Sequence, residues 1–167
     1  SRRHVDDGKV PALLKTIPTS LHIQRMDNEL LQRCMWGESA VRGFGAAETF
    51  LEGGLGYCLM HENQILSETY AIFWGVDTVE IGVITSEDHR GKGYASMTSA
   101  YMIMACQERG YTTTWTCLKS NTTSAAVARK LGYTNERPFK IMVYGEGGQC
   151  SDESSSMNLE SGALKLR

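Results

Sequence analysis

A strand-rich stretch of this chain gives way to helical periodicity at the charged loop Ser86–Gly93. Before the loop, three apolar runs follow one another: Gly56–Met60, Ile65–Gly75 and Thr78–Thr85. The polar links between them, His61-Glu62-Asn63-Gln64 and Val76-Asp77, suit antiparallel neighbours joined by tight turns. After the loop, Tyr94–Arg109 carries Met97, Ala100, Tyr101, Met104 and Ala105 at helical spacing, and Gly110 stands where helices stop. Tyr111–Leu118 then reads as a strand. Asn121 caps a helix through Leu131, Gly132 ends it, and Lys140–Tyr144 reads as a last strand. Strand, helix and strand in succession make a parallel crossover. The fold class is α+β or mixed α/β: a central mixed sheet, antiparallel in its first half and parallel in its second, flanked by helices.

The stretch ahead of the meander is less regular. Residues 1–20 are a polar lead-in with Pro11 and Pro18, and a short helical turn is expected near Ala12–Lys15. Leu21–Met26 alternates like a half-buried strand, and Asp27 or Asn28 can cap a helix over Glu29–Cys34. Trp36–Gly43 has no clear period. Ala46–Glu52 reads as a short helix with Phe50 and Leu51 turned inward. At ~150 residues per domain, 167 residues make one domain. Residues 1–144 are read as that domain. Residues 145–167 are read as a flexible tail, because 145–156 is rich in Gly, Ser and acid.

Composition narrows the function. The formal net charge is −2, without the basic excess that gripping nucleic acid requires. The five cysteines contain no C-x-x-C and read as reduced thiols, which fits a cytoplasmic protein. Histidines 4, 22, 61 and 89 are scattered and suggest no metal site. No apolar run reaches the ~18 residues of a membrane span.

The loop itself carries the chemistry. His89-Arg90-Gly91-Lys92-Gly93-Tyr94-Ala95 lies between a β-branched strand and a helix. Glycines there let amide N–H groups approach a ligand, and the helix start adds unpaired donors, so phosphate is well served. It lacks the GK[ST] of a Walker loop and the G-x-G-x-x-G of a dinucleotide site. Taken alone it is equally a tight turn with solvated charges. In context, Glu80–Thr85 followed by Arg90-x-x-Gly93-x-Ala95 strongly resembles the acetyl-CoA loop of the GNAT N-acetyltransferase superfamily. The segment from Asn121 through Ser124 to Leu131-Gly132-Tyr133 resembles that family's later segment. The resemblance covers about residues 56–144. Phe50–Tyr57 and Ile65–Ser67 resemble a bacterial subgroup whose members usually carry a further N-terminal region, which would make this chain a catalytic half or a short relative.

The resemblance implies a set of roles. Backbone N–H groups of Arg90, Gly91, Lys92, Gly93, Tyr94 and Ala95 would hold the pyrophosphate of acetyl-CoA, the co-substrate, with no metal. The strand ending at Thr85 would splay from Thr113–Leu118, and pantetheine would pair there with backbone near Val83 and Thr85. The N–H near Val83 would polarise the thioester carbonyl. Asn121 would help hold the pantetheine arm. Lys130 would approach the 3′-phosphate, or is simply a solvated helix lysine. The partner is then an amine acceptor, most simply a small molecule. Glu80 is the candidate general base, although alternation sets it on the face opposite Val83 unless a bulge in this strand intervenes; it is otherwise an exposed strand carboxylate. The position of the family's usual proton-donating Tyr is Ala128. Acetyl transfer to an amine is the leading activity; a non-catalytic acyl-CoA-binding module and a protein N-acetyltransferase are the alternatives. A homodimer is left open.

Overall fold

The apolar runs of the first half become a four-stranded antiparallel sheet because each turn returns the chain beside its predecessor. In the computed structural model, which describes residues 8–139 and 163–166, the strands are β1 (Leu21–Arg25), β2 (Gly56–His61), β3 (Gln64–Trp74) and β4 (Thr78–Thr85). The crossover helix α5 (Tyr94–Glu108) then brings β5 (Thr112–Leu118) parallel to β4. Helix α1 (Lys9–Leu14) packs on α5 and on α6 (Thr122–Leu131), which follows β5, while α2 (Asn28–Arg33), α3 (Gly37–Arg42) and α4 (Ala47–Gly53) come between β1 and β2 in the chain. Two short strands, β6 (Arg137–Phe139) and β7 (Ala163–Leu166), complete the order β1-β2-β3-β4-β5-β7-β6. The expected mixed sheet, antiparallel first and parallel at β4–β5, is what forms.

Side-chain alternation gives the sheet two apolar faces. One packs Val79, Ile81 and Trp115 against α1, α5 and α6. The other packs Cys58, Met60 and Tyr70 against Met26, Leu30 and Phe50. Helix α5 is buried more widely than its spacing suggests: Ser99, Met102, Ile103 and Cys106 are sealed, while Met97, Tyr101 and Met104 are only half-buried. It lies between the sheet and two helices, and its small residues Ser96, Ser99 and Ala100 allow the close approach.

Two local outcomes differ from the sequence reading. The patternless stretch at Trp36 forms α3, whose first residue has to be glycine because a Cβ on Gly37 would collide with the Leu31 carbonyl oxygen. Four residues of the stretch read as tail, Ala163–Leu166, form β7, which pairs antiparallel with both β5 and β6. The tail reading is corrected for those four residues; β5 has a second edge, and β7 takes its hydrogen bonds. The strand expected at Lys140–Tyr144 lies outside the described residues, and β6 is described just before it.

Candidate active site

The site begins where two strands part. β4 and β5 pair only through Thr78, Val79 and Glu80 with Thr112, Thr113 and Thr114. From Ile81 and Trp115 onward no ladder joins them, and β5 instead pairs on its other side with β7. The carbonyls of Gly82 and Ile84 accept hydrogen bonds from the β3 hydroxyls of Thr69 (2.8 Å) and Ser67 (3.1 Å), so they face β3. Backbone groups alternate along a strand, so the N–H and C=O of Val83 and Thr85 face the gap. The Thr85 carbonyl accepts from Arg90 Nε at 3.2 Å, which ties the loop to the strand's end.

The loop forms a nest of donors at the mouth of this gap. Gly91 and Gly93 take φ of +79° and +82°, in the left-handed region that glycine tolerates best. Nothing lies within 4 Å of where a Cβ would stand on either. The N–H groups of Gly91, Lys92 and Gly93 have no acceptor among the described residues, and the first turn of α5 adds those of Tyr94, Ala95 and Ser96. Arg90 also pairs with Glu87 at 3.4 Å, and Lys92 Nζ donates to the Asp88 carbonyl at 3.3 Å. Both cations therefore brace the loop while remaining at its surface.

Helix α6 borders the other side of the gap. Asn121 uses its amide oxygen to cap the helix, accepting from the Ser124 N–H at 3.0 Å; its amide N–H₂ has no acceptor among the described residues. Lys130 is exposed on the last turn. Ala128 is fully buried, so no proton donor stands at that position. Tyr133 does not replace it. Its hydroxyl donates to Thr113 Oγ1 at 2.6 Å, and burial pushes the phenol well up.

A family model described as GNAT acetyltransferase matches residues 1–142. The chain belongs to this family. An N-acetyltransferase of Bacillus subtilis (strain 168) is 29% identical over 131 residues, 77% of this chain and 50% of that protein. The crystal structure of a GCN5-related N-acetyltransferase-like protein from Streptococcus suis is 31% identical with a TM-score of 0.70; the match covers 78% of this chain and 53% of that one. The chain thus spans about half the length of these relatives. A putative acetyltransferase from Salmonella typhimurium, solved with its cofactor acetyl-CoA, shares the fold at 15% identity and a TM-score of 0.59, over 89% of this chain and 92% of that one.

In this GNAT domain Glu80 keeps the alternation of β4. The bulge that does occur lies in β3, where Ile72 is the extra residue between Ala71 and Phe73. Glu80 is therefore on the face opposite the Val83 side chain, half-buried, between Phe73 on β3 and Thr114 on β5. Gly82 is on the same face, and a Cβ there would press on Ile72.

Two residues on this face escape a reading of the sequence. Glu68 lies in register with Ile84 and is 3% exposed. Its carboxylate accepts the N–H of Met35 (2.9 Å) and of Trp36 (2.6 Å), fixing the α2–α3 link over the sheet. The link borders a groove of about 770 Å³ and a cleft of about 80 Å³, the latter lined also by Ser67, Ile84 and Ser86. Thr116, two residues beyond Thr114, carries a buried Oγ1 with no partner among the described residues. A glutamate inside an apolar run reads as an outward-facing residue, and one threonine among several carries no signal. Among the described residues no group of His, Cys, Asp or Glu could hold a metal ion, and no helix is long and apolar enough to cross a membrane.

Proposed function

We propose that the chain is an acetyl-CoA-dependent N-acetyltransferase that moves an acetyl group to a primary amine of a small molecule by direct attack on the thioester. The parting of β4 from β5 beside the free N–H groups of the loop carries this reading. A cradle whose glycines have open space at the Cβ position fits a diphosphate, since a side chain there would occupy the anion's place.

When bound, acetyl-CoA supplies the acetyl group as an activated ester. The N–H groups from Gly91 to Ala95 hold its diphosphate, with Arg90 and Lys92 adding charge. Val83 and Thr85 offer backbone to the pantetheine along the open edge of β4, and the Asn121 amide N–H₂ contacts the same arm. The Val83 N–H donates to the carbonyl oxygen where negative charge develops. Lys130 is the cation available to the 3′-phosphate. Glu80 accepts the proton of the acceptor amine, directly or through water, since a protonated amine cannot attack. The buried Ala128 leaves the departing thiolate to be protonated by solvent.

That same alanine favours a second reading, a non-catalytic acyl-CoA-binding module. Five cysteines without a disulfide framework support a cytoplasmic setting. Thermal unfolding with CoA tests the binding half of the proposal. At ~100 times its dissociation constant, CoA is expected to add about 2.7 kcal/mol. Gly93→Val is expected to abolish the shift. No shift at millimolar CoA would overturn both readings. CoA release across a panel of amines separates them, because only an enzyme turns over.

A further inference from the structure

Two thiols outside the acetyl-CoA gap stand together on the α2–α4 face. Cys34 closes α2, Cys58 lies on β2 with no exposure, and their Sγ atoms are 3.5 Å apart. Both backbones are held. The Cys34 N–H donates to the Leu30 carbonyl at 2.9 Å, and the next two N–H groups donate to Glu68. Cys58 is registered against Gln24 on β1 and Glu68 on β3. An S–S bond of about 2.05 Å requires the two sulfurs to draw together from that 3.5 Å contact. Access is unequal, because Cys34 is half-buried beside the groove and Cys58 is sealed behind it. Among the described residues Cys106 and Cys117 are also buried, and neither hydrogen-bonds to another thiol.

We propose that Cys34 and Cys58 are a paired modification site that closes to an intramolecular disulfide on exposure to hydrogen peroxide, joining the end of α2 to β2. The Cys34 sulfur attacks one peroxide oxygen; the O–O bond breaks, water leaves and Cys34 becomes a sulfenic acid. The Cys58 sulfur then attacks the Cys34 sulfur; the S–O bond breaks, and the Cys58 proton departs with that oxygen as a second water. Two thiols lose two electrons and two protons, and one peroxide becomes two waters. The Cys58 hydrogen bond, burial and the neighbouring Glu68 push the Cys34 thiol up, so its attack on the peroxide is slow at neutral pH and quickens as pH rises.

The test uses no activity readout, so it stands apart from acetyl transfer. The native protein is treated with hydrogen peroxide, alkylated after denaturation, digested and mapped by mass. The expected product is one peptide pair joined through Cys34 and Cys58, lighter by two hydrogens and restored by dithiothreitol. Cys58→Ala should leave Cys34 as a sulfenic acid that dimedone traps, and Cys34→Ser should leave Cys58 unmodified. Circular dichroism checks that each variant folds; the peptide map of the native protein decides the matter if Cys58→Ala does not fold. The proposal is overturned if no cross-link forms in the native protein, if one forms only after denaturation, or if the bridge runs through Cys106, Cys117 or Cys150.

Discussion

Glu80 carries the sharpest residue-scale question. Its place in the sequence was legible: it is the carboxylate within the strand that leads to the gap. Its face was legible too, because β4 alternates without a bulge. The irregularity at Ile72 was not legible, since a bulge is a property of register between strands and leaves no mark in one strand's pattern. If Glu80 accepts the amine proton, Glu80→Gln is expected to slow acetyl transfer by ~10²–10⁴-fold while CoA affinity stays near wild type. The loss should shrink as pH rises and more of the amine is already neutral. Unchanged turnover from pH 6 to 9 would move the base to water or to the substrate.

At the scale of elements, periodicity decided what could be foreseen. The meander, α5 and α6 each repeat their signal over many residues, and Asp27 and Asn121 both cap the helices expected of them. Helix α3 had no such signal, because what fixes its start comes from 32 residues away in sequence. Glu68 is that fastening. Hydrogen bonds to a charged group contribute about 1.5–3 kcal/mol each, and Glu68 makes two. Glu68→Ala is therefore expected to cost several kcal/mol in urea denaturation, and Glu68→Gln, which keeps one acceptor oxygen, to recover about half. A cost below about 1 kcal/mol would mean that water serves Met35 and Trp36 equally well. The strand β7 was illegible for a related reason: four residues after a polar stretch carry too little pattern to announce a partner.

For the whole molecule, the two apolar faces share a weakness to alkali. Burial pushes Tyr70 and Cys106 up to about 12 and raises Tyr57 and Tyr133 as well. Each is neutral in the folded state at a pH where the unfolded chain, with phenols near ~10, already ionises. Folded pKa values above unfolded ones mean that the stability they contribute is whole below about pH 8, where the unfolded Cys106 thiol is also neutral, and is lost as pH rises through about 9 to 12. The melting temperature should fall across that window. Of the seven tyrosines, Tyr57, Tyr70 and Tyr133 should develop phenolate absorbance only as circular dichroism is lost. Full titration of all seven in the folded protein would show the phenols to be wetter than the packing implies.

The parting of β4 from β5 also sets a clock on individual amides. Val83 sits mid-strand in a sheet covered on both faces, a place where exchange with heavy water ordinarily waits for large-scale opening. Its N–H faces a gap instead of a neighbouring strand, so deuterium should enter it far sooner than it enters the flanking Gly82 and Ile84, whose backbone groups face β3. A ligand lying in the gap as a substitute strand would slow that one amide more than its neighbours. Exchange at Val83 therefore reports occupancy of the site without any knowledge of the acceptor.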